Sequence, residues 1–223
     1  MANLIITIDG PAASGKSTVA RLLADRLKAS FLDTGAMYRA VTLAAMQAGV
    51  DMLNQQKLLD VLDNTNFQFS SKQGKMLVSI DGVDITEQIR QPQITENARH
   101  IASAPKVREK LVQMQRAFAA GEDKIVTEGR DQGTVAFDNA QFKFFLTADI
   151  DERARRRQVE LKAQGRDENL KQTRKAIEQR DKSDQSRAIG PLKPAENAVI
   201  VDTTDLTIEQ VVEKLLHYVQ KNV

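Results

Sequence analysis

A glycine-rich loop near the amino terminus has residue types and a spacing that suit phosphate binding. The segment Gly10-Pro11-Ala12-Ala13-Ser14-Gly15-Lys16-Ser17 has the pattern G-x-x-x-x-G-K-S. Glycines let the chain curl so that backbone N–H groups converge on phosphate oxygens, and the start of a following helix adds positive potential. We expect Lys16 to reach the β- and γ-phosphates of a nucleoside triphosphate, and the Ser17 hydroxyl to ligate Mg²⁺.

The phosphate-binding loop (P-loop) by itself does not separate GTPases, motors and kinases. A GTPase is expected to carry an Asn-Lys-x-Asp motif after a later strand, and the sequence has none. The chain is also short for a motor. A kinase of small molecules needs a second anion site facing the P-loop, with cations that reach the transferring phosphoryl group.

Three segments carry arginines and carboxylates that would suit this second site. Residues 33–39 and 128–131 each follow a predicted strand, at the edge where open α/β sheets bind ligands, and 180–187 continues a predicted helix. Other interpretations stay open for each. Asp33 or Thr34 could merely cap a helix, 128–131 could be a surface turn, and 180–187 could be an exposed ion-pair ladder, which the helical spacing of Arg180, Asp184 and Arg187 favours when taken alone.

The elements that must position these residues alternate between strand and helix patterns. Short apolar segments predict strands at 4–8, 29–32, 124–127, 142–146 and 198–201, and apolar periodicity predicts helices at 17–27, 36–48, 105–119, 151–164, 170–182 and 208–219. This alternation predicts a parallel five-stranded sheet with helices on both faces. Short strand patterns at 67–69, 75–80 and 83–85, separated by Gly74 and Asp81-Gly82, predict a small antiparallel insert at about 64–102.

Composition limits the other possibilities. The 223 residues include no cysteine, which excludes disulfides and cysteine-based zinc sites and suits a cytoplasmic location. No signal sequence or membrane span is apparent, so we expect no membrane partner. A formal net charge of +2 is too small for bulk attraction of nucleic acid. The alternative from a different class is an RNA-binding module that uses the basic residues of 153–187.

The assembled segments resemble the bacterial cytidylate kinases over nearly the whole chain. The resemblance rests on the P-loop preceded by Ile8-Asp9, on the segments 32–39, 105–108 and 129–135, and on 180–187. It implies a P-loop core formed by 1–63 and 103–223, a monophosphate-binding insert at 64–102, and a helical lid at about 151–170 that closes over ATP. It also implies phosphoryl transfer from MgATP to CMP, and to dCMP, by a monomeric enzyme. The rival within this class is a P-loop kinase of UMP, AMP or a hydroxy acid.

The resemblance also assigns roles to individual residues. Arg39, Arg130 and Arg187 would hold the acceptor phosphate, Thr34, Arg180 and Asp184 the ribose, and Arg108 and Asp131 the cytosine. ATP would contact the P-loop residues Gly10, Pro11, Ala12, Ala13, Ser14, Gly15, Lys16, Ser17 and Thr18, together with the lid residues Arg153 and Arg157. Catalytic charge would come from Lys16, Arg130, Arg157 and Arg187. The sequence departs from the family at Arg99, where a small hydroxyl residue is expected to touch the base, unless Ser103 takes that place.

Overall fold

A computed structural model describes residues 2–72, 74–163 and 165–222. Within these residues the strands are β1 Leu4–Asp9, β2 Ser30–Asp33, β3 Phe67–Lys72, β4 Lys75–Ile80, β5 Val83–Asp84, β6 Lys124–Gly129, β7 Phe142–Thr147 and β8 Val199–Asp202. The α-helices are α1 Lys16–Leu27, α2 Thr34–Gln47, α3 Gln55–Asn64, α4 Pro92–Ser103, α5 Pro105–Ala120, α6 Ile150–Ala163, α7 Leu170–Gln185 and α8 Ile208–Asn222. A 3₁₀ turn spans Gln88–Arg90 and a π-helical turn spans Gln132–Ala136.

Five of the strands form the predicted parallel sheet, in the order β2-β6-β1-β7-β8. Asp33 lies beside Glu128, and Asp9 lies beside Gly129, in the strand register. Because parallel strands all end at the same edge, the P-loop and the segments after β2 and β6 meet there. This register brings the predicted phosphate-binding segments together.

Helices cover both faces of this sheet, as predicted. Successive side chains of a strand point to opposite faces, and Ile5 packs in one buried cluster while Ile6 and Ile8 pack in another. The first cluster includes residues of α2, α3 and α5, and the second includes residues of α1 and α8. The P-loop and α2 therefore follow strands of a sheet whose central strands β1 and β6 are buried.

The antiparallel insert is present as β3-β4-β5. Its buried side chains, such as Met76 and Val78, share the cluster of α2 and α5 instead of forming a core of their own. Two helices were not predicted, although each carries a sequence signal. Asn54 caps α3 ahead of Leu58 and Leu62, and Pro92 begins α4. The division into 1–63, 64–102 and 103–223 stays a prediction.

The segment predicted to be the lid begins with α6, which packs against α7. The predicted helix 151–164 matches α6, except that Gln164 lies outside the described residues. Helix α7 runs three residues beyond its predicted end at 182. Among the described residues, none of the helices has the length and apolar character needed to cross a membrane.

Candidate active site

The P-loop has a backbone that depends on glycine at two positions. Gly10 has φ +149, and a Cβ built there would lie 2.1 Å from the Leu146 carbonyl oxygen. Gly15, with φ +87, precedes the first residue of α1. The Lys16 Nζ donates a 2.7 Å hydrogen bond to the Pro11 carbonyl, and the Ser14 hydroxyl donates to the same oxygen at 3.1 Å. Ser17 and Thr18 are exposed in the first turn of α1, where free N–H groups favour an anion.

Lys16 is a buried cation in a crowded electrostatic environment. Burial, followed by repulsion from the nearby Arg130, lowers the pKa of its ammonium group to about 7. The carboxylates of Glu128 and Asp9 raise this pKa and so oppose part of the shift. Since an approaching phosphate would stabilise the charged form, Lys16 is suited to bind anions at this position.

Glu128, at the end of β6, lies where a magnesium ion would be expected. Its Oε1 accepts a 2.9 Å hydrogen bond from the Ser17 hydroxyl, and burial, then repulsion from Asp33, raises the pKa of its carboxyl group. Among the described residues there is no cluster of three His, Cys, Asp or Glu side chains that could hold a metal. Mg²⁺ needs only one or two protein oxygens when phosphates and water complete its shell. The Ser17 and Glu128 oxygens therefore fit this ion.

Two of the predicted phosphate-binding arginines share one buried carboxylate. Arg130 Nε donates to Asp184 Oδ2 at 2.8 Å, and Arg187 Nη2 pairs with Asp184 Oδ1. The Asp184 side chain is only 4% exposed, and the two arginines hold its pKa below the ordinary value against the effect of burial. The ion-pair ladder interpretation of this segment is therefore wrong for Asp184 and Arg187. Arg187 also lies beyond the end of α7, so it reaches Asp184 from the following turn and not from the same helical face.

Arg180 lies close to the same group. Part of its side chain is exposed, but desolvation of the guanidinium, followed by repulsion from Arg130, lowers its pKa to about 10. Arg157 and Arg39 add to this repulsion, whereas Asp184 opposes it. Arg180 remains a cation at neutral pH. The structure thus brings five guanidinium groups into one electrostatic network, in which Arg130 and Arg180 also act on Lys16. We call Arg39, Arg130, Arg157, Arg180 and Arg187 the arginine cluster.

The start of α2 holds Arg39 and Thr34 at this cluster. Asp33 caps the helix by accepting from the Ala36 N–H at 2.8 Å, and its other oxygen accepts from Arg39 Nη2 at 3.2 Å. The idea that Thr34 is the cap is therefore wrong, because its hydroxyl instead donates to the Glu128 carbonyl at 2.7 Å. The Nε atoms of Arg39 and Arg187 are buried without a hydrogen-bond partner among the described residues. Unpaired cationic donors of this kind favour an anionic ligand.

The predicted base-reading residues form a buried ion pair. Arg108 Nη2 pairs with Asp131 Oδ2, and the Arg108 guanidinium lies 5.6 Å from the centre of the Tyr38 ring. Burial raises the pKa of the Asp131 carboxyl, while Arg108 opposes that change. Arg187 interacts electrostatically with both Arg108 and Asp131, so this pair adjoins the arginine cluster.

The two arginines assigned to the predicted lid differ in their surroundings. Arg157 is half-buried, pairs with Glu160 at 2.9 Å and belongs to the arginine cluster. Arg153 is buried, and it donates to the carbonyls of Ala12 and Ala148 and to Asp181. It therefore contacts the backbone of the P-loop, which the sequence did not predict.

The residues of α4 give no indication of a base contact. Arg99 is exposed, with Nε 3.4 Å from the His100 Nε2, and the Ser103 hydroxyl donates to the Arg99 carbonyl of its own helix. The base contact predicted in the insert stays a prediction.

Three acidic residues of the site were not assigned roles from the sequence. They are Asp9, Glu128 and Asp181, all buried. Asp9 accepts from the N–H groups of Gln132 and Gly133 at 2.9 and 2.8 Å and so holds the turn after Arg130 and Asp131. Burial raises the pKa of the Asp9 carboxyl to about 7. Asp9 and Glu128 could have been noticed as carboxylates that end apolar strands, whereas Asp181 sits among charged helical residues with no such signal.

Comparison with known proteins places this site in a family. A family model described as cytidylate kinase matches residues 6–221. The cytidylate kinase of Caldicellulosiruptor saccharolyticus is 43% identical over 99% of this chain and 97% of its own, and that of Stutzerimonas stutzeri is 45% identical over 95% and 93%. A crystal structure of an uncharacterized protein from Eubacterium ventriosum covers 98% of this chain and 99% of its own with a TM-score of 0.51 at 12% identity, which supports the fold alone. The match of nearly the full length at this identity shows that the chain belongs to the cytidylate kinase family.

Proposed function

We propose that this protein transfers the γ-phosphate of ATP directly to CMP, and to dCMP, giving the nucleoside diphosphate. The observation that carries the proposal is the arginine cluster, in which Arg130 and Arg180 act on Lys16 of the P-loop. A phosphate-binding loop and a second, guanidinium-rich anion site in one cleft would suit two nucleotides whose phosphates meet. The family membership gives independent support.

The acceptor would lie along the arginine cluster. Arg39, Arg130 and Arg187 would bind its phosphate, because each guanidinium can donate two parallel hydrogen bonds to a phosphate. Thr34, Arg180 and Asp184 would contact the ribose. Asp131, held by Arg108, would accept a hydrogen bond from the exocyclic amino group of cytosine. Uracil carries a carbonyl oxygen at that position, so its approach to this carboxylate would be unfavourable.

Catalysis in this scheme needs no general base, since the attacking atom is already an anionic phosphate oxygen. The protein would position the two nucleotides in line and neutralise the charge on the transferring group. Lys16 and Arg130 would do this on the P-loop side, Arg157 from the predicted lid and Arg187 from the acceptor side. Mg²⁺, bound at the Ser17 and Glu128 oxygens, would supply further charge neutralisation on the ATP phosphates.

Product analysis tests the proposal directly. Purified protein is incubated with MgATP and, separately, CMP, dCMP, UMP, AMP and shikimate, and the products are resolved by ion-exchange chromatography. We expect CDP and dCDP as the main products. Lys16→Ala should remain folded and lose orders of magnitude in turnover. Absence of CDP, a clear preference for another acceptor, or near-normal turnover of the variant would reject the scheme.

We further propose that the active form is a monomer. The large exposed apolar side chains include Leu53, Val83, Val159 and Ile200, which lie in separate segments of the chain. Single exposed apolar residues do not make an interface. Sedimentation equilibrium at assay concentration tests this, and a dimer would refute it. A cytoplasmic location stays a prediction.

A further inference from the structure

A buried ion pair forms hydrogen bonds with both backbone polar groups of one P-loop residue, Ala12. Asp181 Oδ1 accepts from the Ala12 N–H at 3.2 Å, and Arg153 Nη1 donates to the Ala12 carbonyl at 3.1 Å. The same Arg153 nitrogen pairs with Asp181 Oδ2. Both polar groups of the Ala12 backbone are thus bound by side chains that also bind each other.

The pair is fixed to the fold at both ends. Arg153 belongs to α6, and its Nε donates to the Ala148 carbonyl just after β7 at 3.1 Å. Asp181 belongs to α7. Beneath the loop, Ala12 packs with Ala154 of α6 and Ile177 of α7 in a small apolar cluster. Helices α6 and α7 therefore hold this part of the loop through both polar and apolar contacts.

Helix α7 also carries residues of the acceptor side. Arg180 is adjacent to Asp181 in the chain, and Asp184 is one helical turn further. Asp181 also interacts favourably with the charge of Arg130. A ligand that moves Arg130, Arg180 or Asp184 would therefore act on the residue that holds Ala12.

We propose that Arg153 and Asp181 are positioning residues that hold the P-loop backbone in the conformation that binds the donor phosphates, without contacting those phosphates. Through them, binding of the acceptor is coupled to binding of the donor. This inference rests on the proposed function for its acceptor. It gives Arg153 a role different from the one that the family resemblance implied, because its guanidinium is directed to Ala12, Ala148 and Asp181. Removing either charge would leave the other buried and poorly paired, which is costly.

The test measures binding of ATP by titration calorimetry, without Mg²⁺ to prevent turnover, in the absence and presence of CMP. Asp181→Asn keeps an oxygen that can accept from Ala12 but loses the charge. Arg153→Lys keeps the charge but loses the guanidinium that donates to both the Ala12 and the Ala148 carbonyls. The control is Asp151→Asn, which breaks an exposed ion pair between the same helices, Asp151 with Arg174 at 2.8 Å.

We expect CMP to raise the ATP affinity of the wild type. Asp181→Asn and Arg153→Lys should each weaken ATP binding by about tenfold or more and lose this enhancement. CMP binding alone should stay near the wild-type value, and Asp151→Asn should behave as wild type. The double variant Arg153→Lys/Asp181→Asn should lose little more than either single one, because the residues act as a pair. Circular dichroism and thermal unfolding confirm that each variant is folded.

Three results would overturn the inference: wild-type ATP affinity in folded Asp181→Asn, an equal loss in Asp151→Asn, or a loss in Arg153→Lys that Asp181→Asn does not share. The last would mean that Arg153 binds phosphate directly. Should Asp181→Asn fail to fold, Asp181→Glu, which keeps the charge but displaces the carboxylate from the Ala12 N–H, replaces it in the same comparison with Arg153→Lys. Failure of the proposed function is recognised separately, since wild-type protein would then bind ATP without producing CDP.

Discussion

Replacing Lys16 with methionine should make the free protein more stable at pH 6, although it removes the residue expected to be central to catalysis. Lys16 is buried, and its pKa falls from 10.5 to about 7 on folding. The folded chain therefore binds fewer protons than the unfolded chain between pH 7 and 10.5, so the stability of the wild type rises across that window. Below pH 7 Lys16 is protonated in both states, so the full desolvation cost of its charge destabilises the folded protein.

The size of the effect follows from the pKa change. Moving the pKa from 10.5 to about 7 corresponds to about 5 kcal/mol, at about 1.4 kcal/mol per pH unit. Methionine removes that cost but also the 2.7 Å hydrogen bond to the Pro11 carbonyl, which is worth about 2 kcal/mol for a charged donor. The net gain at pH 6 is then about 2 to 3 kcal/mol, and it should shrink towards zero or below as the pH approaches 10.5.

Urea unfolding followed by far-ultraviolet circular dichroism at several pH values between 6 and 10 measures this difference. The chain has no tryptophan, so fluorescence would be weak. Lys175→Met, at an exposed position of α7, is the matched control and should show no such pH-dependent gain. A Lys16→Met variant that is less stable than wild type at pH 6, or a difference that does not fall with rising pH, would refute the reasoning.

Other substitutions test separate parts of the site. Gly10→Ala should lower the free energy of unfolding by about 2 kcal/mol or more, because its Cβ would lie 2.1 Å from the Leu146 carbonyl; unchanged thermal unfolding would contradict this. Asp131→Asn should reduce the ratio of kcat/KM for CMP over UMP by about tenfold or more, because the amide weakens acceptance from cytosine; an unchanged ratio would remove Asp131 from base recognition. Asp184→Asn, which leaves Arg130 and Arg187 without their shared carboxylate, should raise KM for CMP by about tenfold with little change in KM for ATP, and equal changes in both would argue against an acceptor role.

The sequence determined the parts of this protein whose signals are local. The G-x-x-x-x-G-K-S pattern, the apolar strands and the helical periodicity are properties of neighbouring residues, and they predicted the five-stranded parallel sheet and the P-loop before α1. The hairpin of the insert was also predictable from the Asp81-Gly82 turn between β4 and β5. Helix α4 was missed because only Ile94 and Ile101 are buried along it, too few for a clear apolar period.

Tertiary structure decided which charges are buried and with what partner. Spacing along α7 favoured an exposed ladder, yet Asp184 is buried because Arg130 reaches it from the end of β6, 54 positions away in the chain. Likewise, Arg153 of α6 and Asp181 of α7 meet only because both helices pack against the P-loop. Sequence patterns report which residues can be charged or apolar, whereas desolvation and pairing depend on distances between elements, which only the folded arrangement sets.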